Sequence, residues 1–155
     1  MRKISYYLAC ASVNMHDLFP MVRDTIYDVQ PHWQVACDWP KLAMEYQQKN
    51  AKFKTPQEEL AARIAIRETE INAVLKSDVF VFALPISNGS MFEYGLACGA
   101  GQRVLVYSMS PKFIEGEAGH FMGLNGTMLV TGGLDSLKEA INRINTDLFG
   151  EYLKT

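Results

Sequence analysis

Short apolar runs alternate with amphipathic segments along the whole chain. Five runs bounded by turn residues predict strands, at 3–10, 32–37, 78–84, 103–108 and 127–131. Four segments with apolar positions at helical spacing predict helices, at 15–29, 55–76, 90–100 and 134–149. Two segments fit neither pattern: 40–54 is ambiguous, and 109–126, rich in Gly, Pro and Lys, is predicted to be a loop.

The alternation of strands and helices defines the expected fold. Thr55-Pro56-Gln57-Glu58 has the spacing of a capping box with proline at the first helical position, which fixes one helix start. The run 78–84 is nearly continuous in large apolar residues, as in a strand buried on both faces of a parallel sheet. We therefore expect a flavodoxin-like, doubly wound α/β fold with a five-stranded parallel sheet, in a single domain over 1–155.

The composition and charge of the chain argue against nucleic-acid and membrane partners. The chain has 155 residues, with 15 Lys+Arg against 17 Asp+Glu, 48% hydrophobic and 21% charged residues. These values are ordinary for a globular protein, and the near-neutral balance offers no basic stripe for a nucleic-acid backbone. The sequence also lacks an apolar run of about 18 residues and a signal-peptide pattern, so we expect neither a membrane span nor secretion.

The cysteines and histidines indicate no cofactor chemistry. Cys10, Cys37 and Cys98 are widely spaced and odd in number, which is typical of reduced thiols in a cytoplasmic protein. The three histidines are scattered, without a paired zinc-ligand motif, and neither a dinucleotide fingerprint nor a phosphate-binding P-loop occurs. A cysteine nucleophile remains an unsupported alternative. We predict no metal and no organic cofactor.

Ligands of doubly wound sheets bind beyond the carboxyl ends of the strands, which directs attention to 7–14, 85–93 and the residues after 108. Glu93 follows the central strand, and in a first helical turn its carboxylate would be kept ionised by backbone N–H groups and the helix dipole. The chain could therefore present a permanently charged nucleophile there. The alternative is structural: Ser90-x-x-Glu93 is itself a capping-box spacing.

Glu70 is the second candidate acid. It lies four residues from both Ile66 and Val74, on a largely apolar face of the predicted helix. Near another carboxylate its pKa would be raised, so that it could exchange protons with a substrate. The alternative is a partly exposed acid paired with Arg67 or Arg63. Two carboxylates in one crevice are the minimum needed to cleave a glycosidic bond with retention.

Several of these landmarks together resemble the nucleoside 2-deoxyribosyltransferase superfamily, which includes the nucleoside 5'-monophosphate N-glycosidases. The landmarks are the aspartate-led strand at 77–83, the E-x-G-x-A helix at 93–97 and the G-Q-R-V segment at 101–104, where the family has G-K-P-V. Their order and spacing match over nearly the whole chain. The resemblance implies an enzyme that acts on nucleosides or nucleotides as a homodimer or larger homo-oligomer.

The resemblance also assigns catalytic roles. Glu93 matches the nucleophile that forms a covalent intermediate at C1' of the sugar, and Glu70 falls where the family usually has an aspartate that assists proton transfer. Tyr7 matches a first-strand tyrosine near the nucleophile, with Tyr6 as the alternative register. The loop that ends at Ser12 would contact sugar or base, although its sequence Ala-Cys-Ala-Ser departs from the family's glycine-containing loop.

One sequence position bears on whether the substrate carries a 5'-phosphate. Six residues before the nucleophile the transferases carry an acid that holds the free 5'-hydroxyl, whereas the monophosphate hydrolases carry serine, as Ser87 is here. A hydroxyl beside Asn88, Gly89 and a helix N-terminus suits an anion. Thr127 resembles a residue that the family donates into a neighbouring subunit's site.

The sequence thus supports N-glycosidic bond cleavage through a covalent glycosyl-Glu93 intermediate, followed by hydrolysis or transfer to another base. It leaves open the base, ribose or deoxyribose, and nucleoside or monophosphate. The alternative from another class is a noncatalytic nucleotide-binding or sensing module on the same fold, and a third is a flavodoxin-like electron carrier, which would be yellow.

Overall fold

Five parallel strands form one sheet in the computed structural model of the chain, which describes residues 3–50, 52–113 and 127–152. The strands are Ile4–Ala9 (β1), Trp33–Val35 (β2), Val79–Ala83 (β3), Arg103–Ser108 (β4) and Met128–Thr131 (β5). Their order across the sheet is β2-β1-β3-β4-β5, and all four pairings are parallel. The predicted flavodoxin-like, doubly wound α/β fold is therefore confirmed.

In the described part of the chain, five α-helices cover the two faces of the sheet. They are Leu18–Val29 (α1), Trp39–Asn50 (α2), Pro56–Lys76 (α3), Asn88–Gly99 (α4) and Leu134–Tyr152 (α5). Helices α1 and α5 pack against each other, while α3 contacts both α2 and α4. The chain passes from β1 to β2 in one direction across the sheet and from β3 to β4 in the other. Right-handed crossovers therefore place α1 and α4 on opposite faces of the sheet.

The core follows from the burial of the central strands. All five residues of β3 are fully buried, as a strand covered by helices on both faces requires. The ring of Tyr7 in β1 stacks on that of its cross-strand neighbour Phe80, with centroids 5.8 Å apart and planes 6° apart. This stacking fixes a tyrosine of the first strand beneath the carboxyl edge of the sheet.

The start of α3 and the end of α4 follow the capping signals in the sequence. Thr55 caps α3 as predicted, since its Oγ1 accepts the N–H of Glu58 at 3.2 Å. The Glu58 carboxylate accepts the N–H of Lys54 rather than that of Thr55, so the reciprocal bond is displaced by one residue. Gly101 closes the end of α4 with φ +70°, the left-handed conformation expected there.

Most boundaries differ from the predicted ones by a few residues. The ambiguous segment 40–54 contains most of α2, whose first turn is capped by Asp38 through the N–H of Lys41 at 3.3 Å. The strand predicted at 32–37 is limited to Trp33–Val35. The predicted loop 109–126 contains a short 3-10 turn at Pro111–Phe113, and its remainder, 114–126, lies outside the described residues.

No helix in the described part of the chain is both long and apolar enough to cross a lipid bilayer. The expectation of a single domain over 1–155 stays a prediction, because the described ranges do not include the whole chain.

We expect Leu105→Ala to lower the free energy of unfolding by about 2–5 kcal/mol, because Leu105 is fully buried in β4 and its loss leaves a cavity. Leu60→Ala is the matched control: this side chain is 58% exposed on α3, and its loss should change stability by less than about 0.5 kcal/mol. Urea denaturation of both variants tests the expectation, and similar losses in the two would contradict the burial pattern.

Candidate active site

A cavity of about 350 Å³ opens at the carboxyl edge of the sheet, between the end of β1, helix α3 and the start of α4. It lies at the switch point, where the chain leaves β1 and β3 in opposite directions. Six of the eight residues selected from the sequence line it, namely Ser12, Glu70, Ser87, Asn88, Gly89 and Glu93. The volume falls in the ordinary range of small-molecule sites, about 300–1,000 Å³.

Tyr7 does not line the cavity but is hydrogen-bonded to Glu93, which does. Its hydroxyl donates a hydrogen bond of 3.0 Å to Oε1 of Glu93, and both side chains are buried. The neighbouring Tyr6 faces away and packs against Trp33, with ring centroids 6.1 Å apart. Of the two registers left open by the sequence, the structure therefore places Tyr7 at the carboxylate.

Arg67 joins the two candidate acids. Its Nη1 lies 3.0 Å from Oε2 of Glu70 and 3.3 Å from Oε1 of Glu93. Glu70 and Arg67 share one face of α3 because they are three residues apart, and the packing of α3 on α4 adds Glu93. The ion pair between Glu70 and Arg67 is thus present, and Arg67 also bonds the candidate nucleophile.

Burial dominates the electrostatics of Glu93. Removal from water, reinforced by the nearby charge of Glu70, raises its pKa to about 7, against the lowering effects of Tyr7 and Arg67. Burial also raises the pKa of Glu70, which Arg67 opposes. The idea of a permanently charged nucleophile is therefore wrong: Glu93 titrates close to neutral pH.

The start of α4 explains that correction. The helix begins at Asn88, two residues before the predicted start, and its cap is Ser87, whose Oγ accepts the N–H of Ser90 at 3.2 Å. Ser90 completes this capping box with its own hydroxyl, which accepts the N–H of Ser87 at 2.8 Å. Glu93 is consequently the sixth residue of the helix, beyond the first turn. It neither caps the helix nor benefits from the first-turn N–H groups, so the capping-box interpretation of Ser90-x-x-Glu93 is also wrong.

Thr127 lies apart from the other predicted site residues. It precedes β5 at the end of the sheet opposite the cavity, and its Oγ1 is 3.5 Å from the hydroxyl oxygen of Tyr94. Within one copy of the chain it does not meet Glu93. Its predicted role in a neighbouring subunit's site stays a prediction.

Sequence reasoning did not place Arg67 or Trp39 in the cavity. Arg67 was considered only as a counter-ion for Glu70, since nothing in the sequence shows that α3 packs on α4. Trp39 forms part of the wall, where its Nε1 donates to the carbonyl of Leu8 at 2.9 Å. Its position at the start of α2 was hidden in the ambiguous segment, although Asp38 followed by Trp-Pro is a capping signal.

The thiols and histidines give little support to other chemistry. Cys10 lines the cavity, but burial raises its pKa to about 12, so the nucleophilic thiolate is scarce at neutral pH. Cys10, Cys37 and Cys98 are all free thiols. Within residues 3–50, 52–113 and 127–152, no group of three or more His, Cys, Asp or Glu side chains is placed to hold a metal ion.

A larger groove continues from the cavity along α2 and α3. Its volume is about 560 Å³, and it shares Arg67 and Glu70 with the smaller cavity. Tyr46 and Arg63 form its outer part, where Nε of Arg63 donates to the Tyr46 hydroxyl at 2.9 Å. At its outer end, away from Glu93, Arg63 is held by Tyr46 and Glu59.

Comparison with known structures supports the assignment of the fold. The chain is similar to the CMP N-glycosidase BcmB of Clostridium botulinum, with a TM-score of 0.56 and 14% sequence identity over 90% of this chain and 98% of the other. At this identity the likeness establishes a common fold. No protein-family model matches the sequence, and a search of curated proteins finds no match.

We expect Glu93→Gln to stabilise the protein at alkaline pH. Because the pKa of Glu93 rises from 4.5 to about 7 on folding, the wild type loses stability as the pH rises through that interval, by about 3 kcal/mol once both states are ionised. Glutamine removes this loss.

The measurement is urea denaturation at about pH 8 and about pH 5, where the advantage of the variant should fall below about 1 kcal/mol. Glu68→Gln, which changes an exposed acid on α3, is the control and should stay within about 0.5 kcal/mol of wild type. A Glu93→Gln protein no more stable than wild type at the higher pH would show that burial does not oppose ionisation of Glu93.

Proposed function

We propose that this chain cleaves the N-glycosidic bond of a nucleoside 5'-monophosphate or (2'-deoxy)nucleoside, with Glu93 as the nucleophile. One observation carries the proposal: a single arginine nitrogen binds the carboxylates of Glu93 and Glu70, in a cavity at the switch point of the sheet. The match of these residues to the N-glycosidase and deoxyribosyltransferase sequence pattern supports it, as does the CMP N-glycosidase fold.

In the first step, ionised Glu93 attacks C1' of the sugar. The Tyr7 hydroxyl and Arg67 both donate to Oε1, so Oε2 is the oxygen free of these two bonds and forms the new C–O bond. The C1'–N bond breaks, and its electron pair leaves with the base, which takes up a proton from the protonated form of Glu70. The two donors hold the carboxylate in one orientation, so attack requires little reorganisation.

Glu70 is placed for proton transfer. In the second step it accepts a proton from the water, or from the base, that attacks C1' and releases Glu93. Since one nitrogen lies 3.0 Å from Glu70 and 3.3 Å from Glu93, the two bonded oxygens are closer than the roughly 6.5 Å at which inverting carboxylate pairs begin. A spacing this short favours a covalent intermediate and retention.

The start of α4 is the proposed phosphate site. The N–H of Ser90 is taken by Ser87, so in this proposal the anion binds the N–H groups of Asn88 and Gly89. Five helical steps separate Asn88 from Glu93, a rise of about 7.5 Å. That separation suits the distance between the 5'-phosphate and C1' of one nucleotide.

A purely noncatalytic nucleotide-binding module does not account for Glu93. A buried carboxyl whose pKa is raised to about 7 lowers the stability of the fold at neutral pH. Glu93 does not cap α4, and it shares its cation, Arg67, with Glu70. Such a group is typical of a site in which the charge is used in a reaction.

We further propose a homodimer or larger homo-oligomer. The basis is the family resemblance, in which the residue that matches Thr127 serves the site of a neighbouring copy.

We expect wild-type protein to release a free base from at least one member of a panel of ribo- and deoxyribonucleosides and their 5'-monophosphates. Glu93→Gln should lower the rate by at least about 10³-fold, because it removes the nucleophile while keeping the fold. Chromatography of the products, with and without an acceptor base, also distinguishes hydrolysis from transfer.

Glu68→Gln is the control for this experiment and should retain full activity, because Glu68 is an exposed acid of α3. Nucleotide binding without base release in any arm would favour the sensing module instead. A yellow protein with a flavin absorbance spectrum would indicate an electron carrier.

We expect Ser87→Asp to reverse the preference for phosphate. Aspartate is as good a helix cap as serine, so α4 should persist, but its charge would repel a phosphate at Asn88 and Gly89. Activity on the 5'-monophosphate should fall at least about tenfold relative to the nucleoside, equivalent to 1.4 kcal/mol. An unchanged ratio of kcat/KM for the two substrates would show that the phosphate does not bind at this end of the cavity.

A further inference from the structure

The guanidinium of Arg67 extends from the carboxyl pair to the start of α4. While Nη1 bonds Glu70 and Glu93, Nη2 lies 3.9 Å from the position that a Cβ atom would take at Gly89. The two nitrogens therefore face different parts of the cavity: Nη1 faces the acids, and Nη2 faces the first turn of α4. The side chain is 49% exposed, so a ligand can reach it.

We propose that Arg67 is a positioning and specificity-determining residue, which allows an ionised Glu93 and the phosphate of a substrate to occupy the same cavity. Nη1 holds the carboxylates, and Nη2 faces the phosphate at Gly89. The inference rests on the proposed function, in that the phosphate belongs to a nucleotide whose C1' lies at Glu93.

The charges around Glu93 make such a residue necessary. Within the ranges that the structure describes, the titratable groups that face Glu93 are Tyr7 and Cys10 from β1 and its end, Cys37 after β2, and Arg67 and Glu70 from α3. Arg67 is the one cation in this set. A phosphate would add a third anion to Glu70 and Glu93 and, uncompensated, would raise the pKa of Glu93 by more than about one unit.

The shape of arginine matters as well as its charge. A guanidinium presents several N–H donors in a planar fork and can bind two anions on different edges, whereas a lysine ammonium is a point charge. Arg67→Lys should therefore restore the charge near the carboxylates without restoring the contact to phosphate. Arg67→Gln should remove both.

Arg63 offers a matched control on the same helix. It lies one turn before Arg67, where it bonds Glu59 at 2.6 Å and the Tyr46 hydroxyl, away from Glu93. Arg63→Gln removes a cation from α3 without touching the carboxyl pair. A general effect of charge on α3 would appear in both variants.

The first test compares pH profiles of base release from a nucleotide and its nucleoside. We expect Arg67→Gln to lower kcat/KM for the nucleotide at least about tenfold more than for the nucleoside, which is 1.4 kcal/mol of discrimination. The acidic limb should move to higher pH by about one unit, since the ionised form of Glu93 loses its cation. Arg67→Lys should retain the wild-type limb but not the preference, and Arg63→Gln should retain both.

Equal losses on the two substrates with an unmoved acidic limb would reduce Arg67 to a structural role and overturn the proposal. So would the same effects in Arg63→Gln.

A second test does not depend on turnover. Ribose 5-phosphate lacks a base to release, so its binding can be followed by NMR of ¹³C-labelled glutamate carboxyls, with Glu93 assigned by its absence in Glu93→Gln. We expect the affinity to fall at least about tenfold in Arg67→Gln, and the ligand to raise the pKa of Glu93 more in that variant than in wild type.

The two tests separate the possible failures. If wild type releases no base but binds ribose 5-phosphate through Arg67, the proposed reaction is wrong and the inference about Arg67 stands. If base is released while affinity and the pKa of Glu93 are the same in wild type and Arg67→Gln, the inference is wrong and the reaction stands.

Discussion

Glu93 is 7% exposed on α4, where burial opposes the ionised form of its carboxyl, and the neighbouring groups either offset or increase that cost. Tyr7 and Arg67 donate to the same oxygen and favour the charge, while Glu70 opposes it. A balance of this kind keeps the carboxyl near its titration point at neutral pH. That is the condition under which a carboxylate is both available as a nucleophile and able to leave again.

The sheet order is what assembles these groups. Tyr7 comes from β1, Glu93 from the helix after β3, and Arg67 with Glu70 from the helix before β3. Strands β1 and β3 are neighbours although about 70 residues separate them in sequence, and their carboxyl ends meet at the switch point. The stacking of Tyr7 on Phe80 and the bond from Trp39 to Leu8 hold two walls of the cavity. The site is thus formed by helices α3 and α4 and the end of β1, which pack on the buried central strands.

Much of this could be predicted from the sequence, because strand hydrophobicity and cap spacing are local signals. The central strand, the start of α3 at Thr55 and the acids at 70 and 93 were all visible in that way. The start of α4 was not, since the Ser90-x-x-Glu93 spacing pointed to Ser90 and only the packed helix selects Ser87 as the cap. Arg67 was beyond reach because its second partner comes from another helix, and the pKa of Glu93 depends on burial, which no local pattern reports.

Trapping the glycosyl-enzyme would test whether Glu93 is the nucleophile. A 2'-fluoro-substituted substrate slows hydrolysis of the intermediate, so the protein can be quenched, digested and examined by mass spectrometry. We expect one added glycosyl group on the peptide that contains Glu93. Base release without any adduct, or an adduct on a different residue, would contradict this expectation.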